Sequence, residues 1–340
     1  MLRTSVTLLA VLASAGVVFP AGPVASLPGP GYDKPLSPKL GYRLVEDLSD
    51  EFNGSELDRN KWFDHMTYWK GRGSEFLPTN ISVADGCLRL RASVKDEAAL
   101  KELYSAIGTA LTGATQGIVA QTWSPADYGD AWDPAKLAEP AVNARLMDLG
   151  MKAIGASAVM SKARQAKQGY YEARIKTSRI AMSSSFWLQG GGTEFDITES
   201  YGNTTVDRPT KWYQDIPFKI VTSVWWCDAP AETPKFKPME YLAPTKLGEE
   251  FFVIGFLWEE AVVSVYYNDR LVSSFDLTSI PEVDHRFFSS MKYVIFDREV
   301  LLGPWLGWPT LAQLTDPNLN TMAVDWIRVW APCSAHLEKD

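Results

Sequence analysis

The sequence has few of the residues on which metal, redox and nucleophilic catalysis usually depend. Its 340 residues include three His and three Cys. These form none of the CxxC, HExxH or His-rich patterns that are typical of zinc sites. A Ser-His-Asp triad would have to use one of these three His residues. Neither GxGxxG nor GxxxxGKS/T occurs, so the sequence does not indicate nucleotide binding.

Positive charge is also in short supply. The sequence has 33 Lys and Arg residues and 41 Asp and Glu residues, which gives a net charge of -8. Binding to a nucleic-acid backbone requires a basic face, so nucleic acid is not an expected partner. Aromatic residues, in contrast, are plentiful, with 13 Trp, 13 Tyr and 15 Phe. The composition therefore favours carboxylate chemistry among aromatic rings.

An apolar run near the N-terminus predicts export. Val6–Phe19 has 14 residues, too few for a helix to cross the roughly 30 Å hydrocarbon core of a bilayer. A short basic start precedes this run and small residues follow it. This pattern predicts a signal peptide over residues 1–26, in preference to a membrane anchor or a buried helix. A Pro-rich lead over residues 27–40 follows, and we expect a secreted protein, extracellular or periplasmic. The disulfide state stays open for Cys87, Cys227 and Cys333.

Most of the remaining chain consists of short strand-like segments separated by Gly, Pro, Asn and Asp turns. This pattern of turns predicts an all-β fold, either an antiparallel sandwich or a barrel, and not a βαβ fold. All-β sandwiches of about 250 residues commonly form one domain, so we expect a single domain over residues 41–334 and a tail over 335–340. The predicted strands are Ile81–Val83, Cys87–Ala92, Gly169–Lys176, Ser184–Leu188, Phe195–Glu199, Ile220–Trp226, Phe251–Trp258, Val262–Asn268, Lys292–Phe296 and Ala323–Trp330.

One segment departs from the strand pattern. Residues 94–160 are rich in Ala, and Leu100, Leu103 and Ile107 recur at helical spacing. We interpret this segment as a partly helical insertion between two strands. A small helical subdomain is the alternative.

Three carboxylates lie close together in the segment Ser183–Gly202. In a strand, residues two apart share a face, so Glu194 and Asp196 point the same way. A β-bulge between Asp196 and Glu199 would return Glu199 to that face. Neighbouring like charges raise at least one pKa, and retaining glycosidases need two carboxyl groups about 5–5.5 Å apart. The alternatives are an exposed acidic strand and a calcium-binding cluster.

The hexapeptide Glu194–Glu199 resembles the bulged signature of glycoside hydrolase family 16. Further segments match that family in the same order, including Asp50–Gly54, Gly169–Lys176 and Val324–Val329. The resemblance implies a concave β-jelly-roll sandwich of two antiparallel sheets and a retaining mechanism. It also implies that Glu194 is the nucleophile, Asp196 its helper and Glu199 the acid/base, with no cofactor in catalysis.

Within the family, the sequence is most similar to agarases and porphyranases, through segments such as Trp69–Arg72, Ser183–Leu188 and Val294–Glu299. This likeness implies a monomeric, endo-acting enzyme that cleaves β-1,4 galactosidic bonds of agarose or porphyran and does not bind membranes. The long insertion and the segment Phe251–Ile254, which lacks the family's usual His, depart from that group. A κ-carrageenase, a furcellaranase or a β-1,3(4)-glucanase therefore remains an alternative, as does a polysaccharide-binding protein without activity.

Substrate-binding candidates follow from the same resemblance. Flat indole rings suit the apolar faces of sugars, and Arg can hydrogen-bond hydroxyl or sulfate oxygens. Each aromatic residue alone is more typical of a core, and Arg72 could equally form a surface salt bridge. Trp62 and Trp330 are assigned to the core. The candidates are Trp69, Arg72, Trp187, Tyr201, Trp225, Arg298 and Glu299.

The resemblance also implies a structural calcium ion far from the cleft. The matching positions are the Asp325 side chain and the backbone oxygens of Glu51 and Gly86, a mixed oxygen set that calcium accepts. Alternatively, Asp325 caps a turn or pairs with a basic side chain.

Overall fold

The computed structural model describes residues 41–113, 133–205, 210–226, 235–280 and 285–333. The expected signal peptide, the Pro-rich lead, the tail and Cys227 lie outside these residues. Within them, Cys87 and Cys333 form no disulfide.

Strands dominate the fold and form two sheets. The first sheet has eight strands: β1 (Tyr42–Leu44), β4 (Ile81–Ala84), β5 (Cys87–Arg91), β8 (Gly169–Lys176), β13 (Phe252–Trp258), β14 (Val262–Tyr267), β15 (Arg270–Asp276) and β17 (Thr321–Pro332). The second has nine: β2 (Trp62–Phe63), β3 (Glu75–Phe76), β6 (Ser93–Val94), β7 (Ile154–Ser161), β9 (Ser183–Gly190), β10 (Thr193–Tyr201), β11 (Lys219–Trp226), β12 (Lys235–Leu242) and β16 (Tyr293–Arg298). All ten predicted strands are present.

The strand order of both sheets is that of an antiparallel sandwich. The first sheet runs β15-β14-β13-β8-β17-β5-β4, with β1 paired to β17. The second runs β12-β11-β10-β9-β16-β7-β2, with β3 and β6 also paired to β7. Only the short β3–β7 pair is parallel among the described strand pairs. The predicted two-sheet fold is confirmed.

Helices are confined to connections. They are α1 (Glu97–Thr112), α2 (Pro134–Ala138), α3 (Pro140–Ala153), α4 (Lys211–Asp215), α5 (Gly303–Leu306) and α6 (Leu311–Thr315). Short 3-10 helices cover Glu46–Leu48, Pro78–Asn80, Ile216–Phe218, Leu277–Ser279 and His285–Ser289. Among the described residues, no helix has the length and apolar character needed to cross a membrane.

The main core lies between the two sheets because alternate strand residues point inward. The Phe195 ring centroid lies 5.0 Å from that of Trp258 and 5.8 Å from that of Phe288. Trp62 is fully buried in this core, as expected. Trp330 is also buried, but in a smaller cluster with Tyr170 and other rings on the outer face of the first sheet. The inner faces therefore hold the sandwich together.

The insertion packs on the opposite face of the second sheet. Asp96 caps α1 by accepting hydrogen bonds from the backbone of Ala98 and Ala99. Leu103 and Ile107 of α1 are fully buried in a second cluster, which also contains side chains of β7, β9 and β16. The helical part confirms the interpretation of this segment.

The expected boundaries of the insertion, residues 94–160, are wrong at the C-terminal end. Ile154–Ser161 is strand β7, which pairs with β2 and β16 in the second sheet. All eight of its residues are buried because β7 has the main core on one face and the insertion on the other. A strand covered on both faces shows no alternating pattern. The insertion therefore ends at Ala153.

Candidate active site

Strand β10 presents the three carboxylates on one face. Opposite it on β11, Glu194 pairs with Trp225, Asp196 with Ser223 and Glu199 with Val221. These β11 partners are spaced two apart throughout, whereas the carboxylates are spaced two and then three apart. One extra residue is thus accommodated between Asp196 and Glu199, where the register shifts. The predicted bulge is confirmed.

The strand on the other side of β10 shows the same register. Gln189 lies opposite Glu194, Trp187 opposite Asp196 and Ser185 opposite Glu199. The Gln189 amide donates a 3.1 Å hydrogen bond to Glu194 Oε2. Such a bond stabilises a carboxylate and fixes its orientation. The side chains of Glu194, Asp196 and Glu199 and those of their partners on both sides form one continuous surface, which we call the carboxylate face. The partners are Gln189, Trp187 and Ser185 on β9 and Trp225, Ser223 and Val221 on β11.

Asp196 is held most tightly of the three. It is 9% exposed, and its Oδ2 accepts a 2.6 Å hydrogen bond from the Ser223 hydroxyl and a 2.7 Å bond from the Trp225 indole. Burial and the charges of Glu194 and Glu199 raise its pKa well above the ordinary value. Asp196 therefore has a fixed position between two carboxylates. Sequence reasoning did not identify Ser223 or Gln189, although both follow from the strand register.

Glu199 has the electrostatic environment of a proton donor. Burial raises its pKa to about 8, together with the negative charges of Glu194 and Glu299, while the Arg72 cation acts in the opposite direction. A general acid works best when its pKa lies near the working pH. Glu199 thus keeps its proton at neutral pH.

A second pair of carboxyl groups lies beside Glu199. Asp297 of β16 pairs with Ser185, which itself lies opposite Glu199. The Trp69 indole donates to both Glu299 oxygens, at 3.3 and 3.2 Å. Burial, followed by the charge of Glu299 and a hydrogen bond with it, raises the pKa of Asp297 well above its ordinary value. Burial raises the pKa of Glu299 to about 7. The two buried carboxyl groups therefore disfavour each other's ionisation.

Sequence reasoning missed Asp297. It lies two residues before Glu299, the same spacing as between Glu194 and Asp196, and that spacing could have identified it.

Six of the seven substrate-binding candidates surround the carboxylate face. Trp69, Arg72 and Trp225 are partly exposed there. Trp187 and Tyr201 are 9% and 5% exposed, so they form the floor of the site and are not open platforms. Burial, together with the charges of Glu199 and Glu299, raises the pKa of Tyr201 well above its ordinary value. Glu299 is buried beside Trp69.

The seventh candidate, Arg298, is a wrong prediction. Because side chains alternate along β16, Arg298 points away from Asp297 and into the space between the sheets. It is fully buried there, and its Nη1 donates to the backbone oxygens of Leu90 (3.3 Å) and Asn320. Both acceptors belong to the first-sheet side of the sandwich. Arg298 therefore connects the two sheets and cannot touch a substrate.

One of the three predicted calcium ligands, the Asp325 side chain, already has another partner. Asp325 accepts a hydrogen bond from Arg174, whereas the ligands predicted at Glu51 and Gly86 are backbone oxygens. A guanidinium at the carboxylate would repel a divalent cation. In the part of the chain described, no group of three or more His, Cys, Asp or Glu side chains is placed to hold a metal. Calcium binding stays a prediction, while Asp325 pairs with a base.

Comparison with known proteins agrees with this geometry. The sequence matches the family model described as "Beta-porphyranase A-D, GH16 domain" over residues 42–129 and 126–332. The chain belongs to glycoside hydrolase family 16. It is therefore a glycosidase, and the carboxylate face is its candidate active site.

Two GH16 relatives illustrate the degree of similarity. Beta-porphyranase D of Zobellia galactanivorans is 26% identical over 322 residues, which cover 87% of this chain and 62% of the relative. Beta-porphyranase B of Phocaeicola plebeius is 27% identical over 322 residues, which cover 85% of each chain. A beta-agarase is also among the relatives. This GH16 chain thus spans less than two thirds of the first relative's length.

The solved GH16 structures show the same fold. The crystal structure of porphyranase B from Zobellia galactanivorans superimposes with a TM-score of 0.61 at 21% identity, over 85% of this chain and 92% of that one. At this identity the likeness concerns the fold alone.

Proposed function

We propose that this GH16 enzyme is an endo-acting, retaining hydrolase of β-1,4 bonds in a red-algal galactan, either agarose or porphyran. The observation that carries the proposal is the bulged strand β10, which aligns Glu194, Asp196 and Glu199 on one partly open face. The names of the relatives, porphyranases and agarases, support the substrate class.

In the proposed first step, Glu199 donates its proton to the glycosidic oxygen while Glu194 attacks the anomeric carbon. The bond to the leaving sugar breaks, and a covalent glycosyl-enzyme forms. Glu199, now ionised, then takes a proton from water, and the hydroxide oxygen displaces Glu194. Two displacements at the same carbon give net retention of configuration.

Asp196 is proposed to assist by position and charge. Its bonds from Ser223 and Trp225 hold it between the other two carboxylates. There it can orient Glu194 and strengthen the interaction with the sugar as positive charge develops at the anomeric carbon. The indoles of Trp69 and Trp225 offer partly exposed rings for the flanking sugars.

The test is digestion of agarose, porphyran, κ-carrageenan, furcellaran and laminarin, with products sized by chromatography and their anomeric configuration followed by NMR. We expect internal cleavage of agarose or porphyran with retention. E194Q and E199Q should each lower kcat by roughly 10²–10⁴-fold, whereas E249Q, at an exposed Glu outside the carboxylate face, should match the unmodified enzyme.

Three results would contradict the proposal. Inversion at the anomeric carbon would exclude the double displacement. Cleavage of only carrageenan, furcellaran or laminarin would show that the substrate is not agarose or porphyran but a polysaccharide cleaved by other members of the family. Binding without cleavage of any polymer would indicate a polysaccharide-binding protein.

Export of the protein belongs to the same proposal, because large polysaccharides do not enter cells. The N-terminal basic and apolar pattern supports it. N-terminal sequencing of protein recovered outside the cytoplasm should show cleavage close to residue 26.

A further inference from the structure

The carboxylate face extends beyond the catalytic strand to a second group of aromatic rings. Tyr293 of β16 lies opposite Gln189 of β9, which in turn lies opposite Glu194 of β10. These three residues form one row across the sheet, perpendicular to the strands. Phe63 of β2 lies opposite Met160 of β7, in the neighbouring row. Both rings are partly exposed. The face therefore continues over β9 to Tyr293 of β16, whereas in the neighbouring row Met160 of β7 is fully buried between Phe63 and Ile295.

Two exposed cations lie over these rings. Lys162 Nζ is 5.2 Å from the Phe63 ring centroid, and Arg164 Cζ is 5.8 Å from that of Tyr293. Arg164 Nε also donates a 3.1 Å hydrogen bond to the Met291 backbone oxygen. Cation–π contacts of this kind hold long basic side chains in place. We call Phe63, Lys162, Arg164 and Tyr293 the basic rim.

The charges around the basic rim are mostly positive. In the described part of the chain, neither Lys162 nor Arg164 forms an ion pair with a carboxylate. The nearby Asp64 is already bonded to Arg59 at 2.6 Å and to His65 at 2.8 Å. The buried Lys292, which lies over the core rings of Phe195 and Trp258, is close enough to interact with both Arg164 and Glu194. A protein of net charge -8 thus presents a locally positive surface at this end of its candidate active site.

The basic rim lies in the path of a bound polymer. The bond to be cut must lie between Glu194 and Glu199, which are spaced along β10, so a substrate chain has to cross that strand. It then follows the row that leads from Glu194 over Gln189 of β9 to Tyr293 of β16, because Met160 and Ile295 in the neighbouring row are fully buried. Tyr293 lies two strand steps from β10 and Phe63 lies four, so at roughly 4.8 Å a step the rim lies roughly 10–19 Å from β10. A polymer spans this distance, whereas a single sugar at the carboxylates does not.

We infer that the basic rim binds a sulfate ester of the polysaccharide at a distance from the bond that is cleaved. The inference rests on the proposed function, because it assigns a further contact to the same substrate. Lys162 and Arg164 supply the positive charge and hydrogen-bond donors that sulfate oxygens require. The Phe63 and Tyr293 rings hold these two cations in place at the edge of the carboxylate face. The rim thereby favours sulfated galactan chains over neutral ones.

The test compares the double variant K162Q/R164Q with the unmodified enzyme on sulfated porphyran and on the same polymer after desulfation. We expect KM for the sulfated polymer to rise roughly 3- to 30-fold, as for the loss of two exposed charge interactions. KM for the desulfated polymer should not change. K101Q/R145Q, which removes one exposed Lys and one exposed Arg from α1 and α3, is the matched control and should behave like the unmodified enzyme.

A second measurement separates this inference from the proposed function. Affinity electrophoresis in gels containing either polymer reports binding without cleavage, and it can be run in the E194Q background. Mobility is expressed relative to a gel without polymer and compared with that of K101Q/R145Q, because both double variants lose two positive charges and migrate faster in any gel. A larger gain in relative mobility for K162Q/R164Q only in the sulfated gel supports the rim, even if the activity assay finds no galactan hydrolysis. Equal effects on both polymers, or no effect on either, would overturn it, even if the enzyme is an active galactanase.

Discussion

At the scale of residues, the candidate site is a crowded group of acids with little compensating charge. Glu194, Asp196 and Glu199 share one face with the pair Asp297 and Glu299. Like charges so close together cannot all be ionised. Which group keeps a proton is therefore determined by burial and by the few neighbouring donors.

Glu299 and Arg72 should tune the pH profile in opposite directions. Glu199 must be protonated to act as the acid, so kcat/KM should fall above its pKa of about 8. E299Q removes a negative charge that raises this pKa, so the basic limb should move to lower pH. R72Q removes a positive charge that lowers the pKa, so the basic limb should move to higher pH. Profiles of kcat/KM against pH provide the measurement.

A purely structural role for Glu299 and Arg72 predicts something different. Both variants would then lose activity without displacement of the basic limb. Displacement in the same direction for both would contradict the assignment of Glu199 as the proton donor.

At the scale of elements, the insertion supports the loop that carries Trp69 and Arg72. Helix α3 contacts this loop so closely that a Cβ added at Gly150 would lie 2.3 Å from the Gly73 backbone oxygen. Gly73 itself has a φ of +60°, a left-handed conformation that suits glycine. The insertion is thus part of the site's architecture and does not lie at a distance from it.

Gly150→Ala should therefore disturb substrate binding. The added methyl group must push the Gly73 backbone and with it Arg72, so we expect KM to rise. Overpacking costs roughly 1–3 kcal/mol, while Ala favours a helix over Gly by about 1 kcal/mol, so the change in unfolding free energy should be small. Kinetics and thermal unfolding measure the two effects. A144S, on the exposed side of the same helix, is the control. An unchanged KM would show that α3 does not position the loop.

Edge strands show where sequence patterns were insufficient. β12 contains Lys235, Lys237 and Pro238, a composition that argues against a central strand but is allowed at an edge. β15 alternates, but it is largely polar and partly exposed. Neither strand was predicted. An edge strand pairs with a neighbour on one side alone, so it has fewer buried apolar residues and a weaker hydrophobic pattern in its sequence.

At the scale of the whole molecule, buried acids should make stability depend on pH. Burial raises the pKa of Glu172, on the first sheet, to about 7, and that of Glu299 to about 7. Each folded-state pKa lies above the unfolded value near 4.3. Folding therefore favours the protonated form, and this stability is complete below pH 4 and lost as pH rises toward 7.

We accordingly expect the temperature at the midpoint of thermal unfolding to decrease as the pH is raised from 5 to 7. The buried Lys292, whose pKa burial lowers to about 7, acts in the opposite sense only above that pH. E172Q, which lies on the other sheet from the carboxylate face, should flatten part of this dependence without changing the pH profile of activity. A midpoint that rises from pH 5 to pH 7 would contradict the expectation.

The sequence by itself determined what depends on local alternation. Strand periodicity and turn residues predicted ten strands and an antiparallel all-β fold, and the spacing of Glu194, Asp196 and Glu199 predicted the bulge; the two-sheet arrangement followed from the resemblance to glycoside hydrolase family 16. These features could be read locally, because the direction of a strand side chain follows from its neighbours in sequence.

Only the tertiary structure decided what depends on pairing between distant segments. Strand β16 lies between β7 and β9 in the second sheet. Because of this position, Asp297 is part of the candidate active site, and Arg298 forms hydrogen bonds that connect the two sheets. The end of the insertion depended on β7 being covered on both faces. The basic rim exists because β2, β7 and β16 bring Phe63, Lys162 and Tyr293 together. The spacing of residues along the sequence does not show which distant strands become neighbours. The burial and charge of a site depend on those neighbouring strands, so only the tertiary structure determines them.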